Sequence, residues 1–219
     1  MEQQVGAFKI ARKRMIKEQI IARGIGDEST INAISKIPRH YFVEEALKPQ
    51  AYTDAPLNIG EGQTISQPYI VAFMTEALQL KGQEKVLEIG TGCGYQTFVL
   101  SMLAGRVYTI ERFKSLAMAA RGRFKEFKLT NIVMRVGDGS LGWPEAQPFD
   151  RILMACVSPQ VPTVLLEQLA IGGKMILPVS QSADNQTLLR ITRTESGFQT
   201  ENLGDCRFVR LVGKHGYQE

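Results

Sequence analysis

Lys85-Val86-Leu87-Glu88-Ile89-Gly90-Thr91-Gly92-Cys93-Gly94 is the stretch that decides the fold. A short apolar strand runs into a turn with glycine at three alternate positions. Glycine lets a backbone turn sharply and approach a ligand where a side chain would collide. Tyr95 to Leu103 then reads as a helix. Outward from there, strand and helix alternate. RVYTIE (106–111) is a second strand, followed by a helix over 113–127, and NIVMRV (131–136) is a third strand. DRILMACV (150–157) is a fourth, Val161–Leu169 a helix, and KMILPV (174–179) a fifth strand after Gly172-Gly173. This alternation requires a mostly parallel sheet with helices on both faces, an α/β doubly wound fold. Two late strands, 187–194 and 207–212, are expected to form an antiparallel edge.

The first third reads differently. Ile10, Met15, Ile16 and Ile20 fall near helical spacing, and Gly24 ends that segment. Asp27 is placed to cap a second helix carrying Ile31, Ile34 and Ile37, which Pro38 stops. Residues 51–68, AYTDAPLNIGEGQTISQP, show no sustained period, and so long a structureless stretch in a compact domain points to a functional loop. Pro68 suits the first turn of the next helix, whose stripe is Ile70, Phe73, Met74, Ala77 and Leu78, closed by Lys81-Gly82.

Composition narrows the class. A chain of 219 residues can bury a full core as one domain. The basic N-terminus lacks a long apolar run behind it, and no segment has the length to cross a bilayer, so a cytoplasmic protein with no membrane association is expected. Cys93, Cys156 and Cys206 share no metal-ligand spacing and fit reduced thiols; with only His40 and His215 beside them, no metal site is expected. The net charge of +4 is mild, and Arg12-Lys13-Arg14 and Arg121/Arg123/Lys125/Lys128 read as solvated helix faces. No stable nucleic-acid partner is expected.

Open parallel sheets bind ligands at the carboxyl ends of their strands. Gly90, Thr91, Gly92 and Gly94 occupy that place after the first strand, with Glu88 two residues ahead. A dinucleotide fingerprint would need a third glycine where this chain has Tyr95. Glu111 closes the second strand, where a carboxylate can accept hydrogen bonds from both hydroxyls of a ribose. Gly137-Asp138-Gly139 follows the third strand. A serine hydrolase built from Ser66, His40 and Asp54 is disfavoured, because no strand-turn-helix elbow surrounds Ser66.

The spacing from Glu88 to Gly94 resembles motif I of class I S-adenosylmethionine-dependent methyltransferases. In that class an acid in the place of Asp138 contacts the adenine amino group. Pro38-Arg39-His40-Tyr41-Phe42-Val43, Ala51-Tyr52 through Leu57, and Ile59 through Pro68 narrow the likeness: the chain resembles protein-L-isoaspartate O-methyltransferases over nearly its whole length. GQTISQP (62–68) is the most specific part. The resemblance implies a Rossmann-like core (81–219) behind N-terminal helices and a substrate loop (1–80), all one domain, 1–219. It implies S-adenosyl-L-methionine as cofactor, bound by Thr64, Ile65, Glu88, Gly90, Thr91, Gly92, Gly94, Glu111, Asp138 and Gly139. It makes Ser66 the active-site serine and isoaspartyl-containing proteins and peptides the substrates, with a monomer expected. The alternative is an enzyme of the same fold acting on RNA or a small molecule. Cys156-Val157 and Arg210 depart from the family's usual small residues and proline, on the side where the peptide is expected. Residues 51–68 and 206–212 are the candidate peptide clamp.

Overall fold

The computed structural model describes residues 2–182 and 185–218. Helix α1 (Glu2–Met15) buries Met15 and packs Phe8 and Ala11 on the core, while Ile10, expected on the inner stripe, is 71% exposed. A π-helical turn, Ile16–Ile20, follows. Its wider i→i+5 pitch returns Ile20, five residues after Met15, to the interior. Helix α2 (Glu28–Lys36) starts where the Asp27 carboxylate accepts from Thr30 N–H at 2.8 Å, and it stops before Pro38. Two 3-10 turns, Arg39–Phe42 and Glu45–Gln50, lead onward.

The stretch expected to lack structure holds an antiparallel hairpin, β1 (Leu57–Gly60) with β2 (Gln63–Ile65). Gly60, Glu61 and Gly62 all take positive φ at its tip, so the residues that mask a strand signal are those the turn needs. Helix α3 (Pro68–Leu78) ends on Gln79 in the left-handed region, short of the expected Lys81-Gly82.

The core then alternates: β3 (Lys85–Ile89), α4 (Tyr95–Ser101), β4 (Arg106–Glu111), α5 (Lys114–Glu126), β5 (Ile132–Val136), β6 (Phe149–Met154), α6 (Thr163–Glu167), β7 (Leu169–Ser180), β8 (Gln186–Thr194) and β9 (Gly197–Cys206). Helix α6 is shorter than expected because β7 already begins at Leu169. The seven strands lie in the order β5-β4-β3-β6-β7-β8-β9, parallel from β5 to β7 and antiparallel beyond. Side chains alternate between faces with period two. Val86, Val107, Leu153, Ile176 and Leu188 pack on Met74, Leu78 and Leu100 of α3 and α4. Leu87, Ile110, Ile152, Met175 and Ile191 pack on the other face against Leu165 of α6 and Trp143. The fold is therefore doubly wound. Among the described residues no helix is long and apolar enough to cross a membrane.

One strand assignment needs correcting. The edge partner of β8 is β9, whereas 207–212 returns to the carboxyl end of β6: Val157 N–H donates to Val209 C=O and Leu211 N–H donates to Val157 C=O, both at 2.8 Å. Its alternating apolar residues mimic a sheet strand, but they line a cavity.

Candidate active site

The sheet reverses its direction of growth at β3, which has β4 on one side and β6 on the other. A crevice at such a switch point is the natural ligand site of an open α/β sheet. Here it is a cavity of about 340 Å³, walled by the turn after β3, the end of β4, the hairpin β1–β2 and the return segment Val209–Val212.

The turn is fixed from within. Gly90 N–H donates to Ile110 C=O at 2.9 Å, and Gly94 N–H to Thr91 C=O at 2.9 Å. Gly94 has φ +88°, and a Cβ there would stand 2.7 Å from the Phe124 ring of α5 and 3.2 Å from the Ala120 methyl. Only glycine satisfies both the backbone and this close helix packing. Glu111, 4% exposed, lines the cavity and ties the turn to β4 by accepting from Gly92 N–H at 2.8 Å through one oxygen and from Phe113 N–H at 2.9 Å through the other. Each oxygen keeps a lone pair for a further donor, which suits a ribose diol.

Gly90, Thr91, Gly92, Gly139, Thr64, Ile65 and Ser66 all line this cavity. Gly94 sits just behind it, in the helix-packing role above. Glu88 is not among the lining residues: it is fully buried beneath the turn, where Oε2 accepts from Thr97 Oγ1 at 2.5 Å and from Thr109 Oγ1 at 2.6 Å. Thr109 in turn shares a 2.6 Å hydrogen bond with Thr91, so Glu88 reaches the cavity through two hydroxyls. Burial pushes its carboxyl up to about 8, against the pull of the threonines. Oε1 has no partner.

Asp138 faces an adjoining cavity of about 450 Å³ with Gly137, Val212, Gly213 and Tyr217; Arg112 and Val212 belong to both walls. Its oxygens accept from Ser140 N–H and Lys214 N–H, each at 2.8 Å. Burial acts to raise its pKa, but the hydrogen bonds from Lys214 and Ser140 outweigh it and hold the carboxyl below its usual value.

Helix α3 takes Gln67, not Ser66, as its N-cap, with no side-chain cap. Capping therefore does not account for Ser66. His40 Nδ1 bonds the Tyr52 hydroxyl at 2.8 Å while its ring stacks on Phe8, and Asp54 pairs with Arg23 at 3.1 Å. His40 and Asp54 thus have other partners, and among the described residues no hydrolase triad forms around Ser66. Cys93 and Cys156 both line the cavity as thiols, since burial raises the first and pushes the second up to about 12. Arg210 is exposed on the rim, its guanidinium 5.0 Å from the Tyr217 ring centre. Tyr95, Gln96, Arg112 and Phe113 line the cavity as well, beyond the residues the sequence points to. All four immediately follow the two motifs, which is the available signal; Val212, inside the expected 206–212 clamp, reaches the cavity through the return of the C-terminal segment.

Fold and site together define a nucleoside-binding transferase of the class I methyltransferase type. The family pattern described as Protein-L-isoaspartate(D-aspartate) O-methyltransferase (PCMT) matches residues 11–216. A Geobacter metallireducens protein-L-isoaspartate O-methyltransferase is 54% identical over 211 residues, covering 96% of this chain and 97% of its own length. One from Desulfosudis oleivorans is 48% identical over 219 residues, covering 100% and 99%. Among solved structures, a protein-L-isoaspartate O-methyltransferase superposes with TM-score 0.84 at 26% identity, covering 94% of this chain and 67% of that one. A Plasmodium falciparum beta-aspartate methyltransferase (PCMT) in complex with S-adenosyl-L-homocysteine gives TM-score 0.80 at 26% identity, covering 92% and 98%. The chain belongs to the protein-L-isoaspartate (D-aspartate) O-methyltransferase family.

Proposed function

We infer that this chain transfers a methyl group from S-adenosyl-L-methionine to the α-carboxyl of L-isoaspartyl residues in damaged proteins, the first step of their repair. The observation that carries the reading is that Ser66 of the GQTISQP segment and the glycine-rich turn after β3 wall one cavity. The residues present fit the cofactor: Glu111 has free acceptor capacity for a ribose diol, and Asp138 offers a carboxylate in the adjoining space for the adenine amino group. Gly90, Thr91, Gly92 and Gly139 give backbone-close walls, and Thr64 and Ile65 border the reacting end. Glu88 and Gly94 act from behind, by shaping the turn. Bound there, S-adenosyl-L-methionine supplies an electrophilic sulfonium methyl group.

The rest is alignment. A peptide carboxylate is already ionised at neutral pH, so no strong general base is needed. Ser66 donates a hydrogen bond that orients the carboxylate, and the hairpin and return segment exclude water from the reacting pair. The neighbouring backbone amide nitrogen then attacks the ester carbonyl and expels methanol, giving a succinimide that water opens partly to normal aspartate. Paired isoaspartyl and aspartyl peptides test the reading. Methyl incorporation into the isoaspartyl form alone supports it, and equal labelling, or labelling of RNA instead, overturns it. Ser66→Ala should lower kcat by roughly 10- to 100-fold, the worth of a hydrogen bond to a charged group, while S-adenosylhomocysteine affinity stays unchanged.

We assign the enzyme to the cytoplasm, as a monomer with no stable nucleic-acid partner. In support of the last point, Arg123 is spent on the carbonyls of Tyr41 and Cys93, and Arg14 on Glu18. Size-exclusion chromatography with and without RNA tests the monomer and the lack of a stable nucleic-acid partner.

A further inference from the structure

Behind Ser66 lies a charge that the mechanism above does not use. Arg39 is fully buried in the 3-10 turn Arg39–Phe42. Its Nε donates to Ala51 C=O at 2.8 Å, and Nη2 donates to Ser66 C=O at 2.6 Å. The guanidinium carbon lies 4.9 Å from the Tyr95 ring centre. Among the described residues Nη1 has no hydrogen-bond partner, and neither does the buried Tyr95 hydroxyl. Among the described residues no carboxylate pairs with Arg39.

Buried charges are ordinarily paired, because desolvation is costly and a guanidinium cannot escape by losing its proton. Two carbonyls and a ring face offset part of that cost here, but they are dipoles, and a net positive charge remains. Burial draws the guanidinium pKa down, against the pull of the Tyr95, Cys93 and Tyr52 side chains. Its field passes into the cavity through Ser66 and Tyr95, both of which line it, and the low-dielectric surroundings screen that field weakly. The missing negative charge matches one that the reaction brings: the substrate carboxylate.

We propose that Arg39 is a positioning and selectivity residue, which fixes Ser66 by its carbonyl and biases the cavity toward an anionic carboxylate over its neutral isostere. This rests on the substrate reading given above. Because Arg39 stands behind the wall, it attracts the carboxylate without a direct ion pair that would quench the attacking oxygen. The two donated bonds also brace the ends of the 51–66 segment against α4, so that Ser66 and Tyr95 keep one spacing.

The test compares an isoaspartyl peptide with the same peptide bearing an α-carboxamide in place of the α-carboxylate. Binding of each to the S-adenosylhomocysteine-loaded enzyme is measured by calorimetry. The wild type should prefer the acid by roughly tenfold or more, as expected of an interaction with a charged group. Arg39→Met should shrink that preference to within about threefold of unity while S-adenosylhomocysteine affinity holds within about twofold. Arg39→Lys should keep the preference, since it keeps the charge, but lower kcat because an ammonium cannot brace both carbonyls as a planar fork does. A wild type indifferent between acid and amide overturns the proposal without any variant. So does an Arg39→Met enzyme that retains the full preference, or an Arg39→Lys enzyme that loses it. Should Arg39→Met fail to fold, the wild-type and Arg39→Lys results decide. Methylation of isoaspartyl peptide with an unchanged Arg39→Met preference defeats this inference alone; no binding of either peptide defeats the substrate reading beneath it as well.

Discussion

The two walls of the cavity are built on opposite principles. The sheet-side wall, from Gly90 to Gly94 with Glu111, is buried or half-buried and tied to the end of β4, Gly90 and Thr91 N–H donating to Ile110 C=O and Gly92 N–H to Glu111. The strap-side wall, β1–β2 and its tip, is anchored at its ends by buried Leu57 and Ile65, but between them it is exposed or half-buried and seated by few contacts: Ser115 Oγ donates to Glu61, and Ile59 Cδ1 would stand 3.2 Å from a Cβ on Gly92. A rigid wall suits a cofactor whose shape never changes. A lightly held wall suits damaged peptides, whose flanking sequences vary while the isoaspartyl linkage does not. Stability and cofactor affinity should therefore respond strongly to changes in the first wall and weakly in the second.

Gly94→Ala attacks the rigid wall where it is least forgiving. The new methyl enters a positive-φ site and strikes the Phe124 ring and the Ala120 methyl. Strain and overpacking together should destabilise the enzyme by about 3 kcal/mol or more. Urea unfolding checks this, and a loss below 1 kcal/mol would mean that α5 yields easily and the wall is not rigid.

Glu88 gives that wall a pH signature. Its folded pKa of about 8 lies above the ordinary carboxylate value of 4.5. Between the two, the folded chain holds a proton that the unfolded chain has released, so stability falls as pH rises through this window and levels off beyond it. The slope from one such group is at most about 1.4 kcal/mol per pH unit. Glu88→Gln keeps the shape but cannot titrate, so its unfolding free energy between pH 5 and 8 should lose that decline. Identical pH dependence in both proteins would place the charge elsewhere.

These two predictions concern residues that the sequence made legible to different degrees. The glycine-rich turn stood out because its conformational needs are written in residue type. Glu88 stood out by position, but its place one register step inside β3 turns it toward α4 instead of the cavity, and a one-letter motif does not carry that. The hairpin went unread because Gly60 and Gly62, which its tip requires, also erase the period-two pattern. Strand β9 went unread because GFQTENLGDC is an edge strand with few side chains to bury. The 207–212 segment reads as a strand because Phe208, Val209, Leu211 and Val212 are apolar; a cavity wall and a sheet interior ask for the same residues. Arg39 is legible only in three dimensions, since its partners at Ala51 and Ser66 are carbonyls that any residue could offer.

Glu111→Gln tests the cofactor side at smaller cost. One amide oxygen still accepts, but the amide NH2 now meets Gly92 N–H or Phe113 N–H, and a ribose hydroxyl loses its charged acceptor. S-adenosylhomocysteine affinity should fall by roughly 10- to 100-fold with little change in kcat at saturating cofactor. Calorimetry measures the first and initial rates the second.

Glu61→Ala probes the strap, and here the expected effect is smallest. The carboxylate at the hairpin tip accepts from Ser115 at the start of α5, an exposed link that bridges the two walls. Exposed polar links of this kind contribute about 0.5–1 kcal/mol or less, so unfolding free energy should barely move. The strap should open more often, however, and an opened strap costs the peptide more than the cofactor, because Ser66 lies at its end and Glu111 does not. KM for an isoaspartyl peptide should therefore rise by about two- to fivefold while S-adenosylhomocysteine affinity holds. An equal loss in both would show that the strap supports the cofactor as firmly as the sheet does, and the contrast between the walls would fail.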